Sequence, residues 1–149
     1  MNKYIEMLHR HQEEVNALPI KFAFSDKQFT EGMAKLGLSP TDTDKIYALG
    51  ETGGFYRVAD AKLIRDTFNR HIEERQKAIE DDTTGKGYIC EMFRYELQNH
   101  EYAYTGDLED TIESLGLTMK EINDNPALKH GLELARKKYI RDADENDWY

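Results

Sequence analysis

Apolar side chains recur at helical spacing along most of the chain. Tyr4, Leu8, His11, Val15 and Leu18 fall at steps of three and four and predict a first helix over about residues 2–17, which Pro19 stops. The segment Ile20-Lys21-Phe22-Ala23-Phe24 then alternates, which allows either a brief strand or an extended connector that drops Phe22 and Phe24 into the core. Ser25 is placed to cap a helix carrying Phe29, Met33 and Leu36.

Two punctuation marks share one form, Leu36-Gly37-Leu38-Ser39 and Leu115-Gly116-Leu117-Thr118. A Gly just past an apolar-periodic run reads as a helix stop in the left-handed region, and the Ser or Thr two positions on reads as the cap of the next helix. After the first mark, Ser39-Pro40-Thr41-Asp42 combines a capping hydroxyl, a proline at the first helical position and an acid at the third, and predicts a helix carrying Ile46, Tyr47 and Leu49. Three glycines between Gly50 and Gly54 end it and make a turn, with room for short extended arms around residues 50–57.

Two long amphipathic segments follow. One runs from Asp60 to about Glu80 with Ile64, Phe68, Ile72 and Ile79 as its ridge and Arg75 interrupting it; the other runs from Tyr88 to about Tyr102 with Ile89, Phe93, Leu97, His100 and Tyr104 on one stripe. A polar, Gly-containing link at 81–87 separates them, so an antiparallel hairpin is expected. Beyond it, Gly106 or Asp107 starts a helix with Leu108, Ile112 and Leu115 that Gly116 stops, Thr118 and Glu121 form a capping pair before Ile122, and Asn125 or Asp124 caps a last helix with Pro126 near its first turn and Leu128, Leu132, Ala135 and Tyr139 facing inward. The expected fold is therefore all-α, a compact bundle of six to eight helices around a central hairpin. Short extended segments are allowed near 20–24 and 50–57. Residues 1–141 read as one helical domain and 142–149 as an acidic tail ending in Trp148-Tyr149.

Composition narrows the function classes. The formal net charge is -9, with about -5 of it after residue 105. That balance argues against direct nucleic-acid binding, which needs a positive footprint; the acidic helix starts at Thr41-Asp42 and Lys120-Glu121 argue the same against a DNA-reading helix pair. Cys90 is the only cysteine, so no internal disulfide or thiolate cluster is available. Its place near a helix start would favour the thiolate, while a small buried residue is the simpler reading. No apolar leader precedes residue 6 and no run is long enough for a membrane span, so a cytoplasmic location is expected.

Two constellations carry candidate chemistry. His71 with Glu74, and Glu96 with His100, are each one turn apart, and on facing helices the four could surround one divalent ion, the site a metal-dependent hydrolase would use. No cofactor is otherwise implied. The stretch from Tyr95 to Tyr104 concentrates aromatic and polar side chains, and Tyr95, Asn99 and Tyr102, with Trp148 and Tyr149, form the candidate interaction surface for a protein partner or a second copy.

The run Asn99-His100-Glu101-Tyr102-Ala103-Tyr104-Thr105-Gly106-Asp107, followed by the second Leu-Gly-Leu corner, resembles small acidic proteins of phages and mobile elements of gut-type bacteria, loosely from Phe22 to Leu134. The resemblance implies a binding role toward a host or phage factor, including carboxylate mimicry of nucleic acid against a defence protein. A non-enzymatic protein-interaction module is the reading these features share.

Overall fold

The structure, a computed structural model, describes residues 2–99 and 108–146, with side chains of the last helix described through Lys138. Among the described residues it is an all-α protein of seven helices with one small antiparallel sheet: α1 (Lys3–Asn16), β1 (Lys21–Phe22), α2 (Asp26–Lys35), β2 (Ile46–Leu49), β3 (Gly54–Arg57), α3 (Ala61–Asp81), α4 (Tyr88–Asn99), α5 (Glu109–Ser114), α6 (Met119–Asp124) and α7 (Pro126–Asn146). The backbone groups into two compact units, Arg10–Ile72 and Met1–His9 with Glu73–Tyr149, so α1 and α3 contribute to both.

Both Leu-Gly-Leu marks close their helices by the same hydrogen bonds. Gly37 (φ 75) donates to the Ala34 carbonyl at 3.0 Å and Leu38 to Met33 at 2.8 Å. Gly116 (φ 69) donates to Glu113 at 3.0 Å and Leu117 to Ile112 at 3.1 Å. These are Schellman closures, in which the left-handed glycine lets two otherwise orphaned carbonyls be satisfied and drops the following Leu onto the helix it has just left. Helix starts also follow local chemistry. Ser25 Oγ accepts from Gln28 N, Thr118 Oγ1 from Glu121 N, and Asn125 Oδ1 from Ala127 N and Leu128 N.

The predicted helix after Ser39 does not form. Its opening turn does: Ser39 N donates to Asp42 Oδ2 at 2.8 Å and Asp42 N to the Ser39 carbonyl at 3.0 Å. A single 3-10 turn at Thr43–Lys45 follows, and Ile46–Leu49 is strand β2. A cap stabilises a helix start but cannot offset nucleation over the few residues left before Gly50, whereas Ile46 and Tyr47 suit a strand with a partner within reach across the glycine turn.

In the unit formed by residues 1–9 and 73–149, Tyr4, Tyr88, Ile89, Phe93, Leu97, Ile112, Ile122, Leu128, Leu132 and Ala135 belong to one buried cluster, and Ala78 and Ile79 of α3 pack against it. Each fully buried side chain of this size contributes about 1.5–3 kcal/mol. Within the bundle, α4 makes its most extensive contact with α7 rather than with α3, its neighbour in the expected hairpin. Two glycines account for this. A Cβ at Gly131 would lie 2.4 Å from Ile89 Cγ2, and one at Gly85 would lie 2.1 Å from the Ala127 carbonyl oxygen, so α7 approaches the 82–87 link more closely than any side chain permits.

That link is organised by one carboxylate. Asp82 accepts from Gly85 N, Gly87 N and Ile89 N at 3.0–3.1 Å and from the Thr84 hydroxyl at 3.3 Å. Desolvation raises the Asp82 pKa, but these donors outweigh it and hold the group below the usual carboxylate range. His130 Nδ1 lies 2.7 Å from the Thr84 carbonyl and ties α7 to the same loop.

Candidate interaction surface

In the unit of residues 10–72 the three strands run in the order β1-β3-β2, all antiparallel. Side chains alternate faces along a strand, so the register sorts them. Phe55 points to one face, where it is buried beside Met33 and Phe29, its ring centroid 5.1 Å from that of Phe29. A Cβ at Gly32 would sit 2.7 Å from Phe55 Cζ, so α2 is glycine where the ring seats against it. Ile46 and Lys21 share this covered side by register.

The other face is open. Phe22 pairs with Gly54, Leu49 with Gly54, and Tyr47 with Tyr56, which places Phe22, Leu49, Tyr47 and Tyr56 together opposite Phe55. The Tyr47 and Tyr56 rings meet edge-on at 6.0 Å. Phe22 is 52% exposed, Tyr47 50% and the adjoining Phe24 77%, which makes a contiguous exposed aromatic patch rather than scattered surface residues. Phe22 Cε1 lies 2.9 Å from where a Cβ of Gly54 would be, and Phe24 Cε1 lies 2.7 Å from that of Gly53. The rings therefore lie over bare backbone that only glycine provides. No charged side chain projects from this face by register.

This overturns the expectation that a connector would bury Phe22 and Phe24, and the strand alternative is the one realised. The alternation of residues 20–24 pointed to it, but the missing information was the partner. Gly53-Gly54 lies more than thirty residues away in sequence and accepts the strand.

The residues proposed from sequence fall in different places. Tyr95 is half-buried and its ring tilts against Tyr4 at 5.7 Å. Asn99 is exposed at the end of α4. His100, Tyr102, Trp148 and Tyr149 lie outside the described residues. Glu96 accepts the Tyr4 hydroxyl at 2.7 Å, and burial, then this bond, raises the Tyr4 pKa. Cys90 is 3% exposed, and burial raises rather than lowers its pKa, which makes it a packing residue and not a thiolate.

His71 and Glu74 stand one turn apart on α3. His71, only 3% exposed, donates through Nε2 to Glu14 Oε2 at 2.7 Å and stacks on His11, while Arg70 pairs with the same Glu14 carboxylate. Hydrogen bonds from Arg70 and then His71 pull the Glu14 pKa down to about 2. Glu74 and Glu96 belong to the other compact unit. Among the described residues no group of three or more His, Cys, Asp or Glu side chains is arranged to hold a metal ion.

Fold and surfaces together define an all-α protein with a small, one-sided antiparallel sheet. Residues 3–138 match a family described as a family of unknown function (DUF7659), and the chain belongs to that family. No curated protein and no solved structure matches it. No helix among the described residues is long and apolar enough to cross a membrane.

Proposed function

We propose that this protein acts by binding another protein rather than by catalysis, through the open face of its sheet. The observation that carries the reading is the ordered exposure of Phe22, Phe24 and Tyr47 beside Tyr56 on a face without charge. Aromatic rings held in place by backbone lose little entropy on binding and bury a large area, which is how interface anchors work. On a chain of net charge -9, an uncharged aromatic face also lacks the repulsion that most of the surface would offer to another acidic protein. That no group of three or more His, Cys, Asp or Glu side chains among the described residues is arranged to hold a metal ion weighs against the metal-dependent hydrolase. A host or phage factor is the class of partner suggested by the resemblance to phage and mobile-element proteins.

A photo-crosslinking residue at position 47, introduced into the full chain in its native cell, tests this. A discrete crosslinked partner that disappears in a Phe22→Ser/Phe24→Ser variant of unchanged circular dichroism is the expected result. Crosslinking only to a second copy would make the face a homodimer interface. Crosslinks insensitive to the two substitutions would remove the reading.

A further inference from the structure

The second Leu-Gly-Leu corner encloses an open groove of about 780 Å³ where α5 turns into α6. Its apolar lining is Leu108, Ile112, Leu117 and Met119, with Met119 45% exposed, and Glu109 and Glu113 stand one turn apart beside it. The first corner is an internal control, since it has the same Schellman bonds around Gly37. Counting back from each glycine, Thr30 and Ala34 occupy the positions of Glu109 and Glu113. Glu109 stands in the first turn of α5, where a helix N-terminus favours an acid, whereas Glu113 lies beyond it and has no counterpart at the first corner, so its place beside an apolar groove is a property of this one.

We infer that this groove docks a short, positively charged amphipathic helix of a partner protein, its apolar stripe against Leu117 and Met119 and its Lys or Arg side chains toward Glu109 and Glu113. Helix-in-groove recognition needs an apolar channel matched to one face of the incoming helix, and a flexible exposed Met adapts such a channel to its ligand. The charge decides the occupant. A second copy using this same surface would bring Glu109 and Glu113 against themselves, which like-charge juxtaposition penalises, whereas a basic segment is attracted by them and by the surplus of acid after residue 105. The inference rests on the reading of the protein as a binder, but it uses none of the sheet-face residues.

The test uses the full chain and a fluorescein-labelled helical peptide with Leu at positions i, i+3, i+4 and i+7 and Lys elsewhere. Saturable binding is expected, with amide shifts centred on residues 108–119. Affinity should fall about tenfold or more in a Glu109→Gln/Glu113→Gln variant and remain unchanged in Phe22→Ser/Phe24→Ser, because the loss is of charge complementarity at one site. Equal binding by the Gln variant overturns the inference. So does equal binding of a peptide with every Leu replaced by Ser, which would reduce the contact to diffuse attraction, and so do shifts centred away from the corner. Sheet-face failure with groove binding intact would sink only the earlier reading.

Discussion

The rings of His11 and His71 lie 3.8 Å apart and 9° from parallel, both within a buried environment, and His71 passes a hydrogen bond to Glu14. A polar residue thus takes the position on α3 that the apolar ridge assigned to Ile72, which is instead 42% exposed. The exchange is tolerable because the carboxylate satisfies the imidazole. His71→Ala should cost about 2 kcal/mol or more, since it removes a hydrogen bond to a charged group and leaves space in a packed region. Urea denaturation of a double-mutant cycle with Glu14→Gln should show coupling between the two sites; additive effects would mean the two side chains do not act as a unit.

The same carboxylate sets a pH dependence. Because the folded-state pKa of Glu14 is depressed to about 2 from an ordinary value of 4.5, its contribution is fully present above 4.5 and is lost as pH falls toward 2. Thermal melts across that window should fall more steeply for the natural protein than for Glu14→Gln, with the two curves converging at the acid end. Parallel curves would show that the carboxylate is not specially held.

Asp82→Ala should destabilise by about 1–3 kcal/mol, because Gly85, Gly87 and Ile89 then lose their common acceptor at the start of α4. Asp82→Asn, with one acceptor oxygen in place of two, should recover only part of that. Amide exchange at Gly87 and Ile89 is the local readout, and unchanged protection there would discount the carboxylate's role.

Gly131→Ala tests the α4–α7 contact. In an exposed helix the change would stabilise by about 1 kcal/mol, but here the new methyl meets Ile89 at 2.4 Å, and overpacking should destabilise by about 1–3 kcal/mol. A more stable variant would show that the helices have room to part.

Gly37→Ala and Gly116→Ala should behave alike. Neither added Cβ meets anything within 4 Å, so the cost is the positive φ alone, about 1–2 kcal/mol at each site. A large difference between the two would mean that one corner is held by more than its backbone closure.

Helix punctuation was legible in the chain because each cap and stop is a bond between groups a few residues apart. Ser25, Thr118, Asn125, Gly37 and Gly116 each make the bonds their residue types predict. The same local chemistry was insufficient at Ser39, where the cap forms and the helix does not. The helix over 61–81 was recognisable from its period, yet its buried face is turned toward His71, because a histidine's burial depends on whether a carboxylate meets it. Glu14 lies on another helix and carries no mark of that role.

Sequence alone determined the all-α class, the positions of the helix ends and the two matching corners, since hydrogen bonds along a turn depend on neighbouring residue types. Only the tertiary structure decided that Ile46–Leu49 is a strand, that Phe22 and Phe24 face outward, and that α4 packs chiefly on α7. The first depends on the neighbouring strand across the glycine turn, and the other two on partners distant in the chain, Gly53 and Gly54 for the two Phe rings and the pair Gly85 and Gly131 for the helices. Burial belongs to the pair of surfaces that meet, and a one-dimensional pattern specifies only one of them at a time.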